Sequence, residues 1–357
     1  MTATVASPAL DAVLREVAAS AAEVDAAARL ATAHLPALAA SGLLDEGIDD
    51  LLAGRPEAVD LRAPASTIAG LAEECLPTAF GVWAHRVVED YLARGTQTAA
   101  TAAALDLLRA GEVPGATGMA QALKALAGLG ELGIDATPDG EGGWYLDGFV
   151  AWISNLVDGA VLTLPARTPD GGGIVVWVTY GDQGLTPRHI SGLLALDATA
   201  SGTLRLDRVH VPADQVLSTD LPAFVRAVKP SFLVLQSSFA AGVIRRSWGE
   251  VEAALDRSDN AVFGAEVREL GEEVADFLDR WQRLAADITG APVREFLQLR
   301  LDASHLAQRV TRLELTLAGG RGYLAASAAN RRFREAAFLP VQSPSEGHLR
   351  WELSSLA

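Results

Sequence analysis

The strongest constraint on the fold is a change of hydrophobic period along the chain. Leu10, Val13 and Val17 recur at the three- and four-residue spacing of an amphipathic helix. The same spacing returns near the other end, at Val267, Leu270, Val274, Phe277, Trp281 and Leu284. Between these stretches, short runs rich in Val, Ile, Leu and Trp are separated by Gly, Pro and Asp, which is typical of strands and turns. The order of helices, strands and helices predicts an α+β fold.

The places where the texture changes predict three domains. We expect an N-terminal helical domain at 1–112, a middle β domain at 113–221 and a C-terminal helical bundle at 222–357. In the segment TLRLDRVHV, apolar and polar residues alternate with one slip at Arg208, which predicts a half-buried strand of an antiparallel sheet or barrel.

The charge balance narrows the range of partners. The chain carries 29 Lys and Arg against 45 Asp and Glu, a net charge of −16, which repels nucleic acid and anionic membrane. We find no apolar run of the roughly 18–20 residues that a membrane span needs, and no secretory signal pattern. A single cysteine, Cys75, and scattered histidines predict neither a disulfide nor a metal site. We therefore expect a soluble, cytoplasmic protein with a small-molecule ligand.

Two motifs lie on these predicted elements, the first on a strand and the second on a turn. The strand-like segment GWYLDGFVAWISN carries Trp152 and Ser154, and the turn GGRGY carries Gly319, Gly320 and Gly322. Together with the order of domains, they resemble the acyl-CoA dehydrogenase family of flavoproteins. The resemblance implies a middle antiparallel β-barrel domain, a C-terminal four-helix bundle and FAD as cofactor, with Trp152 packed beside the flavin and Ser154 hydrogen-bonded to it. It also implies a homodimer or homotetramer, in which the glycine turn approaches the ADP half of the FAD of a neighbouring subunit.

Other parts of the family pattern are missing. The family's phosphate-binding stretch, Thr-Glu-Pro followed by Gly-Ser-Asp, is replaced by AQALKALAGLGELG, with Gln121 near the position of the Glu. Of the Arg, Phe-Gly and Gln that a further helix offers to the cofactor, Phe263 and Gly264 remain. We therefore expect FAD to be held differently at its diphosphate, and loss of the flavin stays an alternative.

The family's catalytic carboxylate is also missing from its customary position. On the family's Tyr-Glu-Gly-Thr pattern, the segment REAAFLPVQSPSEG places Gln342 at the Tyr and Ser343 at the Glu. The alternative position for the base, on the first long helix of the C-terminal domain, lies near Phe232 and has no acidic residue. Glu346 is the nearest candidate for a displaced base, and the resemblance places His85 on a helix that borders the substrate pocket.

Two further sets of polar residues have an interpretation that needs no ligand. Arg331, Arg332 and Arg334 form a basic face on the last helices, and we expect them to be solvated, with binding of a phosphate or of a neighbouring subunit as alternatives. His348 could titrate near neutral pH, but on a helix it would not share a face with Glu346.

These observations leave three functions open. The first is an FAD-dependent oxidoreductase of acyl-CoA dehydrogenase type that acts on an acyl thioester or related small molecule, with Glu346 as its base. The second is a flavin-dependent monooxygenase on the same scaffold, which needs no base for the acyl chain. The third is a non-catalytic subunit that pairs with an active paralogue. Whether the protein is an enzyme at all is therefore open, with an FAD-dependent oxidoreductase favoured.

Overall fold

The N-terminal part of the chain is helical, as predicted. The computed structural model describes residues 8–257 and 259–356. Leu10, Val13 and Val17 are buried, so the predicted apolar stripe faces the core. The helices are α1 (Pro8–Asp25), α2 (Leu35–Ala40), α3 (Ile48–Leu52), α4 (Arg62–Glu74), α5 (Leu76–Arg94) and α6 (Ala99–Arg109).

Residues 66–95 do not form one continuous helix, because the chain is interrupted at Cys75. The backbone of Cys75 is extended (φ −158°, ψ 105°), and it separates α4 from α5. Pro77 follows at the second position of α5, where its missing N–H costs nothing because the first turn of a helix has no intrahelical acceptor for it. The break redirects α5 into the interior, where every residue from Leu76 to Ala93 is buried.

The central part forms one mixed sheet. Its strands follow the path β6–β7–β3–β2–β4–β5–β8, and β1 pairs with β4 beside this path. Most pairs are antiparallel, as predicted, but β4 pairs with β1 and with β2 in parallel, and a short helix, α7, interrupts the strands. The elements are β1 (Gly115–Thr117), α7 (Ala120–Leu126), β2 (Ile134–Pro138), β3 (Trp144–Ile153), β4 (Val161–Arg167), β5 (Gly173–Thr179), β6 (Leu185–His189), β7 (Gly202–Val211) and β8 (Val216–Ser218).

The slip in the alternation of β7 is a bulge. Leu146 pairs with Val209 and Gly148 with Leu206, so two residues of β7 lie opposite Asp147 alone. Arg208 takes the positive φ of +49° at this place, and its N–H donates to Asp147 Oδ1 at 2.9 Å. The extra residue restores the inward orientation of the following apolar side chains, as an irregularity in the alternation predicts.

Three long helices and two short ones form the C-terminal part. They are α8 (Leu221–Ala254), α9 (Gly264–Ala286), α10 (Val293–Ala318), α11 (Ala328–Ala336) and α12 (Glu346–Ser355). The apolar stripe from Val267 to Leu284 on α9 is buried, as predicted. Close packing of α8 on α4 depends on Gly242, where a Cβ would lie 2.0 Å from the carbonyl oxygen of Ala69.

One helix of the described residues, α8, is long and apolar enough to cross a membrane by length and composition. The expectation that no apolar run reaches this length was therefore wrong. Its most apolar window is 83% buried inside the protein, because α8 packs against α4, α5, α9 and α10. Burial among other helices accounts for the high hydropathy.

The described residues have two hydrophobic cores. One lies within the sheet and is built from the inward side chains of β2 to β8. The other runs continuously from α1 through α4 and α5 to α8, α9 and α10, so the first and last helical parts share one interior. The division of the chain into domains at 112/113 and 221/222 stays a prediction, and the change from helix to strand falls between α6 and β1.

Candidate active site

A cleft of about 510 Å³ opens where the end of β3 meets α5, α8 and the segment after α11. Five of the residues predicted for the site lie in its lining: Trp152, Ser154, Phe232, Gln342 and Ser343. They come from parts of the chain up to 191 residues apart, so the fold brings together what the sequence showed only as separate motifs. A cleft of this size is in the range that holds cofactors and small molecules.

The end of β3 is held in place by the residue that follows the predicted pair. Asn155 is buried with a positive φ of +59°, and its Nδ2 donates to the carbonyl oxygens of Gly81 and Gly115, both at 2.9 Å. Asparagine tolerates this left-handed conformation better than most residues. The anchor fixes Ser154 in the lining, and Trp152 stands at the cleft with 57% of its surface exposed.

A series of hydroxyl groups continues inward from Ser154. Ser154 Oγ lies 2.7 Å from Ser201 Oγ, which lies 2.7 Å from Thr199 Oγ1. Thr199 donates its only hydroxyl proton to the carbonyl oxygen of Leu196 at 2.7 Å. Since each hydroxyl carries one proton, Ser201 must donate to Thr199 and Ser154 to Ser201. Ser154 therefore presents lone pairs, and not a proton, to a ligand in the cleft.

An aromatic wall lies opposite this series. Phe80, Trp83, Phe232 and Phe338 line the cleft, and their rings stack or meet edge to face at centroid distances of 5.1–5.4 Å. Of these four, the sequence pointed to Phe232 alone. Phe80 and Trp83 lie three residues apart on α5, a spacing that any buried helix shows, so no pattern in the sequence distinguishes them from core residues.

The floor of the cleft is built on a buried arginine. Arg300 is fully buried; its Nε donates to Gln236 Oε1 at 2.7 Å and its Nη2 to Gln342 Oε1 at 2.9 Å. Gln236 in turn donates through Nε2 to the carbonyl oxygen of Ser343 at 2.8 Å. Burial lowers the pKa of Arg300 to about 9. Sequence reasoning missed Arg300, although it lies four residues after Phe296 and so interrupts the apolar face of α10 with a charge.

No Asp or Glu is among the described residues that line the cleft. Glu346, the candidate for a displaced base, does not line it. Its Oε1 pairs with His305 Nε2 at 3.1 Å and with Arg350 Nη2 at 2.7 Å, in the first turn of α12. The hydrogen bond from Arg350, and then that from His305, lower the pKa of Glu346. Glu346 is thus held outside the cleft lining as a weak base, and the structure lends no support to its predicted catalytic role, which stays a prediction.

The helix that carries His85 borders the cleft, but His85 itself does not line it. His85 is fully buried and is not among the lining residues. Its Nδ1 accepts a hydrogen bond from the N–H of Gly115 at 3.1 Å, and its Nε2 lies 3.2 Å from Glu89 Oε1. His85 therefore ties α5 to β1 and leaves the cleft to its neighbour Ala84 on the same helix.

The glycine turn lies outside the cleft, at the end of α10. Gly319 has a φ of +62°, which L side chains rarely adopt, and a Cβ on Gly322 would lie 2.7 Å from that of Ala318. Both glycines are thus explained by the turn itself. Gly320 is exposed with nothing within 4 Å of its Cβ position, so its own chain gives no reason for a glycine there.

The segment that replaces the family's phosphate-binding stretch has a structural role. Gln121 lies on α7, where its Nε2 donates to the carbonyl oxygen of Phe149 at 3.1 Å and its Oε1 accepts from the N–H of Gly133 at 2.7 Å. Both ends of the amide are engaged between β2 and β3. These two bonds explain the position of Gln121 without a cofactor.

The three arginines expected to be solvated all have internal partners. Arg332 is buried and forms an ion pair with Glu314. Arg331 donates to the carbonyl oxygen of Glu74 at 2.7 Å, and Arg334, which lines the cleft, donates to Asp25 from both terminal nitrogens at 2.6 and 3.0 Å. The expectation of solvated arginines was therefore wrong. Arg331 lies 3.7 Å from Glu335 on its own helix, whereas Arg332 and Arg334 pair with Glu314 and Asp25, which lie far away in sequence.

The residues present fit one end of FAD better than the other. A half-exposed indole beside an apolar cleft with a fixed hydroxyl suits the flavin ring, which needs a flat apolar contact and a few hydrogen bonds. At the diphosphate end, Arg334 is the one cation among the described lining residues, and Asp25 neutralises it. No group of three or more potential metal ligands occurs among the described residues.

Comparison with known proteins gives the following similarities. No family model matches the chain. The short-chain specific acyl-CoA dehydrogenase, mitochondrial, of Bos taurus is 24% identical over 228 residues, which are 58% of this chain and 54% of that protein. The match thus spans about half the length of the curated relative.

Solved structures match over nearly the whole chain. Butyryl-CoA dehydrogenase from Megasphaera elsdenii has a TM-score of 0.85 and 16% identity, covering 98% of both chains. A glutaryl-CoA dehydrogenase from Mycobacterium smegmatis in complex with FADH2 has a TM-score of 0.82 and 19% identity, covering 98% of this chain and 95% of the other. Dibenzothiophene monooxygenase from Paenibacillus sp. A11-2 has a TM-score of 0.76 and 17% identity, covering 97% and 96%. The chain therefore shares the α+β fold of these structures and is similar in sequence to an acyl-CoA dehydrogenase over part of its length, as the sequence predicted.

Proposed function

We propose that this protein is an FAD-dependent oxidoreductase that acts on an acyl thioester or a related small molecule without a carboxylate base from its own chain. One observation carries the proposal: Trp152 and Ser154 face the same cleft as Gln342 and Ser343, and no Asp or Glu lines it among the described residues. The fold shared with the FADH2 complex of a glutaryl-CoA dehydrogenase supports the choice of cofactor.

The residues of the cleft would share the work of binding. Trp152 would cover one face of the flavin ring, and Ser154 would accept a hydrogen bond from it through the fixed hydroxyl series. The aromatic wall would hold the apolar part of the substrate and exclude water. When bound, FAD supplies the two-electron redox chemistry or the activation of oxygen.

The absent carboxylate separates the candidate reactions. Removal of a proton beside a thioester carbonyl needs a base within hydrogen-bond reach, and a positioned base contributes roughly 10²–10⁴ in rate. In the part of the chain that the structure describes, Ser343 has no His or carboxylate partner that could make it a base. This favours oxygenation of a small molecule, for which the monooxygenase neighbour is a precedent of fold, over α,β-dehydrogenation. A non-catalytic subunit that pairs with an active paralogue is the further alternative.

Three observations on the purified protein separate these candidates. The yellow absorbance of bound flavin, retained after gel filtration, supports an oxidoreductase, and a protein that cannot take up FAD sinks it. Bleaching by an acyl thioester under anaerobic conditions supports dehydrogenation. Consumption of oxygen when a flavin reductase and a substrate are added supports oxygenation.

The proposal includes a cytoplasmic protein that acts as a homodimer or homotetramer, or as a hetero-oligomer with a paralogue. The exposed Tyr323 and Leu324, which follow the glycine turn with 80% and 64% of their surfaces exposed, support a subunit contact there. Light scattering on the purified protein gives its mass in solution. A monomer at all concentrations would contradict this part of the proposal.

A further inference from the structure

A buried guanidinium that has no carboxylate partner among the described residues lies under the cleft floor. Arg300 is fully buried. Its hydrogen bonds go to three neutral oxygens: Gln236 Oε1 at 2.7 Å, Leu339 O at 2.8 Å and Gln342 Oε1 at 2.9 Å. Its Nη1 has no partner among the described residues. A charge in such a place is costly unless its donors are used, so it orders whatever acceptors surround it.

This arrangement fixes the orientation of two amides. A guanidinium donates hydrogen bonds and cannot accept them, so the oxygen of each glutamine, and not its nitrogen, must face Arg300. The amino group of each amide is then directed elsewhere. In Gln236 it donates to the carbonyl oxygen of Ser343 at 2.8 Å. In Gln342, which lines the cleft, Nε2 has no partner among the described residues.

We propose that Gln342 binds the ligand of the cleft by donating from Nε2 to a carbonyl oxygen, and that Arg300 is the positioning residue that holds it in this orientation. Gln342, which directly precedes the base position at Ser343, thus presents a hydrogen-bond donor to the cleft, whereas a carboxylate would present only acceptors. The inference rests on the proposed function only in taking this cleft as the substrate site.

The surroundings of Gln342 define the chemical class of the ligand. The wall formed by Phe80, Trp83, Phe232 and Phe338 suits the apolar part of a ligand, and these side chains offer no hydrogen-bond acceptor to an N–H group of the ligand. Gln342 is 6% exposed, and its Nε2 is not among the buried atoms that lack a partner, so water reaches this donor in the open cleft. A ligand that displaces the water without supplying an acceptor would leave the donor unpaired at a cost of about 1–3 kcal/mol, so a ligand with an acceptor oxygen is preferred. An apolar molecule with one carbonyl group, such as a short acyl thioester, meets both demands.

The test is a cycle that removes the donor from the protein and the acceptor from the ligand. The probes are S-butanoyl-pantetheine and S-butyl-pantetheine, which differ in the carbonyl oxygen, and the variant is Gln342→Met, which keeps the length of the side chain. Dissociation constants are measured by calorimetry on the protein as purified. We expect wild type to prefer the carbonyl probe about five- to tenfold, and Gln342→Met to bind both probes equally.

Two further variants locate the donor. Arg300→Lys should reduce the preference for the carbonyl probe, whereas a purely structural role of Arg300 would weaken both probes and leave their ratio unchanged. Ser343→Ala tests the neighbouring hydroxyl. Loss of the preference in Ser343→Ala with its retention in Gln342→Met would overturn the proposal, as would equal binding of both probes by wild type, or binding of neither.

The flavin is scored separately in each preparation by its visible absorbance before the titration. A carbonyl preference in a protein that cannot take up FAD would sink the oxidoreductase proposal and leave the role of Gln342 standing. A flavin-loaded protein without the preference would do the reverse.

Discussion

Replacing Ser343 by glutamate should introduce the base that the cleft lacks. Ser343 lines the cleft and is partly exposed, and its carbonyl oxygen is held by Gln236 at 2.8 Å, so the backbone is fixed at this place. The described residues form no hydrogen bond to its hydroxyl, so the substitution breaks none. We therefore expect S343E to fold with a loss of less than about 1 kcal/mol.

The expected gain follows from the neighbours of the introduced carboxylate. A positioned base contributes about 10²–10⁴ in rate, which corresponds to about 2.7–5.4 kcal/mol of barrier. The aromatic wall raises the pKa of a carboxylate by desolvation, whereas the amide of Gln342 and the buried charge of Arg300 lower it. No second group orients the new side chain, so we expect the lower end of the range, about 100-fold.

The assay is the anaerobic bleaching of the flavin after mixing with butanoyl-CoA, followed by stopped-flow absorbance. S343Q is the matched control, since it has the same size and no charge. We expect slow bleaching in wild type and S343Q and a rate about 100-fold higher in S343E. Equal rates in S343E and S343Q, or a wild type that already bleaches as fast as S343E, would refute the reasoning.

Three other predictions concern residues outside the cleft. Gly320→Ala should leave the free energy of unfolding within about 0.5 kcal/mol but weaken FAD binding in a titration, and an unchanged affinity would contradict a cofactor contact at this turn. Glu346→Gln should cost less than about 1 kcal/mol and leave any thioester-driven bleaching unchanged, whereas its loss would restore Glu346 as the base. Burial raises the pKa of Glu335 from 4.5 to about 7, so its neutral form favours the fold below pH 4.5 and this contribution is lost as the pH rises through 7. Relative to Glu335→Gln, wild type should lose about 2.5 kcal/mol between pH 5 and pH 8 in urea unfolding, and a constant difference would contradict the buried carboxyl.

Most of the fold could be predicted from local patterns in the sequence. The stripe on α9 and the alternation in β7 depend on residues a few positions apart, so the periodicity of the sequence predicted both, and the slip at Arg208 marked a bulge. The break at Cys75 could not be predicted, because Pro77 is tolerated in the first turn of a helix and the sequence does not show which turn is the first.

The site was predicted where a motif coincided with the cleft and missed where partners are distant in sequence. Trp152, Ser154, Phe232, Gln342 and Ser343 line the cleft as expected. Whether a residue faces the cleft or the core depends on packing between distant segments, which no local pattern records.

His85 shows this most clearly. It lies on α5 directly after Trp83 and Ala84 of the cleft lining, yet its ring points to Gly115 and Glu89. The pairing of Arg334 with Asp25, 309 residues apart, was beyond sequence reasoning for the same cause.

The most direct test of the account is an FAD titration of the purified protein, with gel filtration to remove unbound cofactor, for wild type and Trp152→Ala. The account predicts that wild type retains the yellow cofactor and that Trp152→Ala, whose half-exposed side chain supports little of the core, folds normally but binds FAD more weakly. A folded wild-type protein that takes up no FAD, or a Trp152→Ala variant with undiminished affinity, would contradict it.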